Sequence, residues 1–287
     1  MDNATPAEVF TESLQLARKK AELPISTMLI RGALAGAFLG YATSLAILVG
    51  TQGLPPIVGA IIFPVGFVML VLLGFELATG NFALLPIGVL DGEVTWSSLG
   101  RNWAWVYLGN LLGSLLYAGL FYLAITNLLT NDGAALAAAI RQIGEKKTLG
   151  YMAIGGRGWL AALVKAILCN WMVTVGAVLA LVSRSTIGKI TAMWLPILTF
   201  FALGYEHSIV NMYVIPAAMF SGAHITVRQW WVWNQIPVTI GNVIGGAIFT
   251  GLAFYLAHGP RKPAPIVVPT PEASLEAGLR PPAEMTT

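Results

Sequence analysis

Apolar runs of about 20 residues or more, parted by short charged stretches, fill most of the chain between Ser26 and Ala257. Each is long enough to cross a bilayer core of roughly 30 Å. Only 10% of the 287 residues are charged, against about a quarter in a soluble domain, and the mean hydropathy is +0.75. An ordinary cytosolic enzyme is excluded, and the fold class is an all-α integral membrane protein. The net charge of +3 does not point to nucleic acid, because the basic residues form no stripe interleaved with aromatics. They read instead as topology signals. The single cysteine, Cys169, lies inside an apolar run, so no intrachain disulfide or thiolate metal cluster is expected. Met1-Asp2-Asn3-Ala4 lacks a basic region followed by an apolar core, so no cleavable signal peptide is expected and the first span directs insertion.

Residues 1–25 are expected to form an amphipathic helix lying in the membrane interface, with Val9, Phe10, Leu14 and Ala17 at helical spacing before Arg18, Lys19 and Lys20. Six spans follow in a transmembrane unit over 26–257: 28–50, 56–90, 103–128, 159–182, 190–220 and 231–257. The second and fifth are too long for one straight crossing and carry Gly74, Gly80 and Pro86, and Pro196, Gly204 and Pro216. Both are expected to be broken. A polar segment with Arg141, Glu145, Lys146, Lys147 and Arg157 separates the third span from the fourth. Six spans leave both termini on one side, which collects Arg18, Lys19, Lys20, Arg101, Arg184, Lys189, Arg261, Lys262 and Arg280. That excess of Lys and Arg places both termini in the cytoplasm. The stretch 258–287, rich in proline with scattered charges, reads as a disordered cytoplasmic tail.

The halves 26–128 and 159–257 repeat one another. Gly74-Phe75-Glu76 recurs as Gly204-Tyr205-Glu206, displaced by 130 residues. Trp103-Ala104-Trp105, Gly109-Asn110, Gly113 and Phe121-Tyr122-Leu123-Ala124 recur as Trp231-Val232-Trp233, Gly241-Asn242, Gly245 and Phe254-Tyr255-Leu256-Ala257, and Arg31 faces Lys165. Three spans is an odd number, so the second copy enters from the opposite side. The result is a 3+3 inverted repeat, an architecture of channels and transporters. Interrupted helices leave backbone groups that cannot face lipid. The pathway is therefore expected between Gly74–Pro86 and Gly204–Pro216.

Glu76 and Glu206 are the acids within spans, and both sit at these breaks. One reading makes them acceptors for the amides freed there. His207 follows Glu206, where the other half has Leu77. An imidazole in a pore can donate a hydrogen bond to an anion or transfer a proton near neutral pH. His207 is the leading functional residue. The tryptophans at 96, 103, 105, 230, 231 and 233 cluster at span ends and read as interfacial anchors. The glycines at 109, 113, 241 and 245 have the spacing of close helix packing.

The string Gly204-Tyr205-Glu206-His207-Ser208-Ile209-Val210-Asn211-Met212, with Glu76-Leu77-Ala78-Thr79-Gly80-Asn81 and Leu168-Cys169-Asn170-Trp171, resembles the formate/nitrite transporter family over about residues 6–257. The resemblance implies an aquaporin-like six-span fold, assembled as a homopentamer with one pore per protomer in the inner membrane. It implies a central histidine at His207 and a loop threonine at Thr79 beside Leu77. Apolar constrictions fall at Phe63, Phe67 and Phe200, and an asparagine at Asn170. Glu206 and Asn211 belong to the histidine string. The residue beside Leu77, usually aromatic, is Ala78 here. A lysine on the extracytoplasmic approach has three candidates, Lys147, Arg157 and Lys165. Lys165 ranks first because it lies about one and a half turns from Asn170.

The implied substrates are small monovalent anions, formate first, then nitrite or hydrosulfide. Losing hydration in an apolar constriction is costly for an anion. Lysine and the positive helix ends offset part of that cost. His207 then either hydrogen-bonds or protonates the anion, and Thr79 hands it past Leu77. No cofactor or metal is expected, since the histidines at 207, 224 and 258 share no helical face. A neutral-solute channel of aquaporin type would show paired Asn-Pro-Ala motifs, which are absent. An intramembrane enzyme finds no Gly-x-Ser-x-Gly motif.

Overall fold

The computed structural model describes residues 3–260, and within them the chain is helical throughout. The part of the predicted tail from 261 onward lies outside the described residues. Helix α1 (Pro6–Ala21) starts at a capping box in which the Thr5 amide and hydroxyl donate to Glu8, and these bonds hold its carboxyl below the usual carboxylate value. Four helices are long and apolar enough to cross a membrane: α2 (Ile25–Thr51), α6 (Trp96–Ile125), α8 (Gly156–Val182) and α11 (Val227–His258).

Between them run shorter pieces. Helices α3 (Pro56–Ile62) and α4 (Pro64–Leu72) lead through a non-helical segment at 73–77 into α5 (Ala78–Asp91). Helix α9 (Thr186–Ala202) leads through 203–207 into α10 (Ser208–Phe220). The breaks therefore fall at Gly74 and Gly204, whereas Gly80, Pro86, Pro196 and Pro216 stay inside continuous helices. The two glycines have φ of +67° and +66°, a conformation a side chain resists and glycine accepts.

Helix α7 (Ala134–Ala153) occupies the segment that the sequence marked only as polar. Its charges sit on an otherwise alanine-rich helix, and one of them, Lys147, turns inward to a buried partner. The core is built where α2 meets α6 and α8 meets α11. Backbone carbonyls of Leu163 and Ile167 lie where a Cβ on Gly241 or Gly245 would be, and the Ala33 carbonyl does the same at Gly113.

Helix α11 differs from α6 in two π-helical turns, Trp231–Gln235 and Ala247–Leu252. A turn closed by i→i+5 bonds holds about one more residue than an α turn. Matching contacts in the two halves record each addition. Ahead of the first π turn, Thr95 caps α6 through the Ser98 amide as Thr226 caps α11 through that of Gln229, a displacement of 131. Between the π turns, Asn102 and Asn110 match Asn234 and Asn242, at 132. After the second, the Phe-Tyr-Leu-Ala string stands at 133. The match of Trp103 to Trp231 is thereby corrected, because the residue equivalent to Trp103 is Gln235. Trp230 is also no lipid-facing anchor. It is buried, and its indole N–H donates to Gln235 at 3.2 Å.

Candidate functional site

The N-termini of α5 and α10 meet inside the molecule. Leu77 and His207 are the first residues before these helices, with φ and ψ of −115° and 117° against −114° and 119°. The same backbone shape thus carries different side chains. The amides freed by the breaks do not go to the glutamates. Ala78 N donates to Asn110 Oδ1 at 2.9 Å and Ser208 N to Asn242 Oδ1 at 2.8 Å. Each asparagine then donates to two carbonyls, Gly32 and Glu76 in one half and Ala166 and Glu206 in the other.

Glu76 and Glu206 instead face cations, which corrects their reading as acceptors for freed amides. A buried carboxylate needs opposite charge as well as donors, and a backbone amide supplies only the latter. Lys20 Nζ reaches both Glu76 oxygens at 2.8 and 2.9 Å, with Asn81 Nδ2 at 2.9 Å. Lys147 Nζ, Tyr151 Oη and Asn211 Nδ2 each reach Glu206 at 2.8 Å. Asn102 and Asn234 complete the pattern by bonding Asn81 and Asn211 and the carbonyls of Lys20 and Lys147.

Lys147 is therefore the lysine at the buried glutamate. Lys165, ranked first on sequence, lies 5.6 Å above the Tyr151 ring instead, and Arg157 is exposed. Spacing from Asn170 along the fourth span does not lead to Lys147, because that lysine comes from α7, a helix not foreseen. A signal was nonetheless present, since the pairs Lys19-Lys20 and Lys146-Lys147 recur 127 residues apart.

His207 and Thr79 come together from opposite halves. His207 Nδ1 accepts from the amides of Ile209 and Val210 at 3.2 and 3.3 Å, and Nε2 lies 3.1 Å from Thr79 Oγ1. With Nδ1 receiving two N–H groups, the imidazole hydrogen sits on Nε2 and is donated to the threonine oxygen. Asn170 Nδ2 holds the Thr79 carbonyl at 3.0 Å and the Asn242 carbonyl at 2.6 Å. The positions equivalent to this pair hold Leu77 and Ile209, both buried.

The phenylalanines divide between two places. The Phe200 ring stacks on His207 with centroids 5.7 Å apart, and Phe63 meets Phe200 edge-on at 5.7 Å. Phe67 and Leu77 line a cavity of about 240 Å³ on the α1 side, together with Lys20 and Glu76.

A bundle of apolar helices in which two half-helices meet at a histidine, each backed by a neutralised buried acid, is the arrangement of an all-α membrane channel. The chain belongs to the formate/nitrite transporter family, whose model, described as "Formate/nitrite transporter", matches residues 7–256. A "Probable formate transporter" of Methanothermobacter thermautotrophicus is 34% identical over 271 residues, covering 88% of this chain and 97% of the relative. Among solved structures, an "FNT family ion channel" superposes with a TM-score of 0.77 at 26% identity, covering 87% of this chain and 98% of the other. A "Pentameric formate channel with formate bound" gives 0.67 at 26% identity, covering 82% and 97%. The protein is thus a multi-pass membrane transporter and not an enzyme.

Proposed function

We propose that the chain conducts small monovalent anions, formate foremost, along a path past Leu77, Thr79 and His207. The observation that carries this reading is the imidazole with Nδ1 occupied by two amides and its one N–H turned to Thr79. An anion that displaces Thr79 from Nε2 meets that N–H, the threonine hydroxyl hydrogen and the positive ends of α5 and α10. Neutral imidazole serves here as a hydrogen-bond donor. Handing its Nε2 proton to formate would leave an imidazolate unless Nδ1 first took a proton, and that would break both amide contacts. Hydrogen bonding is therefore favoured over protonation by His207. Lys20 and Lys147 neutralise the buried Glu76 and Glu206, so that neither carboxylate repels an anion on the path, Asn170 fixes Thr79, and Glu206 and Asn211 hold the break in place. Phe63 and Phe200 form the apolar constriction beside the histidine, and Phe67 and Leu77 the one on the α1 side.

The overall reading is six spans in a 3+3 inverted repeat, with an interfacial N-terminal helix. It further places homopentamers in the inner membrane with both termini cytoplasmic. The matched contacts of the two halves support the repeat, and likeness to a pentameric formate channel supports the assembly and substrate. Nitrite and hydrosulfide, of similar charge and size, are the alternative substrates.

Uptake of labelled formate into proteoliposomes, with nitrite and hydrosulfide as competitors, tests the reading. Saturable formate flux is expected. Loss of one hydrogen bond to a charged group predicts that His207→Ala lowers it about tenfold or more. Robust nitrite or hydrosulfide flux without formate flux would overturn the substrate, and an unchanged His207→Ala rate would overturn the site.

A further inference from the structure

A groove of about 370 Å³ lies between α6 and α11, walled by Phe82, Trp103, Trp231, Ile236 and Ile240, with Tyr107, Thr239 and Gln235 at its floor. Ile236 and Ile240 are exposed, so it opens to the outside of the bundle and not to the path past His207. Its polar floor carries an odd hydrogen. Tyr107 Oη and Thr239 Oγ1 lie 2.6 Å apart, at positions displaced by 132 residues like the paired asparagines. Gln235 Nε2 donates to Tyr107 Oη at 2.6 Å and to the Ser208 carbonyl at 3.4 Å. The orientation of that amide is fixed, because the Trp230 indole can only donate and takes Gln235 Oε1 at 3.2 Å. Gln235 therefore offers the two hydroxyls no acceptor. They share one bond between them, and among the described residues neither donates elsewhere. One hydroxyl hydrogen is left over in the groove, where lipid tails supply nothing to receive it.

Depth narrows what does. Tyr107 and Thr239 lie within about 5 Å of the midpoints of α6 and α11, at 1.5 Å per residue. The ester carbonyls of phospholipids sit near the edges of a hydrocarbon core, about 15 Å away. An acceptor that reaches the floor must be a carbonyl that itself dissolves in the middle of the bilayer, and the walls of Phe82, Trp103 and Trp231 suit a flat ring. We propose that this groove binds a lipid-soluble ring carbonyl compound of the quinone class, with one ring oxygen accepting the spare hydroxyl hydrogen of the Tyr107–Thr239 pair. The site stands apart from the anion path and does not depend on it.

Titration of the detergent-purified chain with decylubiquinone, followed by quenching of tryptophan fluorescence, tests the site. A saturable component is expected above the linear quenching that N-acetyltryptophanamide shows in the same micelles. Removing both hydroxyls in the Tyr107→Phe/Thr239→Val double variant should weaken binding about tenfold, the worth of one hydrogen bond. Each single variant keeps one hydroxyl hydrogen and should stay within about threefold of wild type. Ile240→Trp leaves the hydroxyls in place but fills the exposed rim, and it should abolish the saturable component. Decylbenzene, which has no carbonyl, should displace the quinone weakly and with equal affinity from wild type and double variant. Absence of saturable quenching in wild type, or equal binding by Ile240→Trp, overturns the site. Equal binding by the double variant, or single variants as weak as the double, overturns the leftover hydrogen as its basis. Binding that appears only once the assembly is dissociated into protomers would give the groove to a second copy of the chain and overturn the proposal.

Discussion

The two buried glutamates are compensated unequally, and that inequality is measurable. Glu76 has Lys20 and Asn81, whereas Glu206 has Lys147, Asn211 and the Tyr151 hydroxyl. Breaking a buried ion pair by removing one partner costs about 3–5 kcal/mol. Lys20→Met should therefore destabilise the protein by that order, and Lys147→Met by about 1 kcal/mol less, the worth of the extra hydrogen bond. Thermal unfolding in detergent gives the ranking, and the reverse order would refute this reading of the two sites. His207, Glu76 and Glu206 were legible in the sequence because ionisable groups stand out in apolar runs. Their partners were not. Lys20 and Lys147 lie among other cations, and nothing local to a lysine reveals a carboxylate 56 or 59 residues away. Asn110 and Asn242 were visible as repeat markers, but their task of holding the freed amides appears only in three dimensions.

At the level of elements, composition and length foretold the broken helices, and of the glycines named there Gly74 and Gly204 mark the breaks while Gly80 does not. The prolines do not either, since neighbouring helices tolerate a proline inside a helix in a packed bundle. The π turns were also invisible, because a one-residue insertion leaves hydropathy unchanged. Their origin as insertions predicts an asymmetry. Deleting Ile248 from the second π turn should let it close as an ordinary α turn and keep the flanking contacts of Asn242 and Phe254 in phase. Deleting Leu112 from the middle of α6, which has no π turn, rotates everything beyond it by about 100°. Yield and unfolding temperature in detergent should stay near wild type for the first deletion and collapse for the second. Equal damage from both would contradict the insertion account.

For the molecule as a whole, the distribution of Lys and Arg predicts which ends face the cytoplasm. Cysteines introduced at the exposed positions Thr186 and Asp132 should label from opposite sides with an impermeant maleimide in intact cells. Only the second should react from outside, while buried Cys169 stays silent in both. Labelling of both from one side would undo the six-span topology. The pairing of His207 with Thr79 has an ancestral corollary under the proposed two-fold relation. The axis exchanges His207 with Leu77 and Thr79 with Ile209, so two identical half-length chains would bring together either two imidazoles or none. A pore with a single histidine therefore cannot be assembled by dimerising one half. It requires two halves that have diverged from one another, which a single chain carrying both copies supplies.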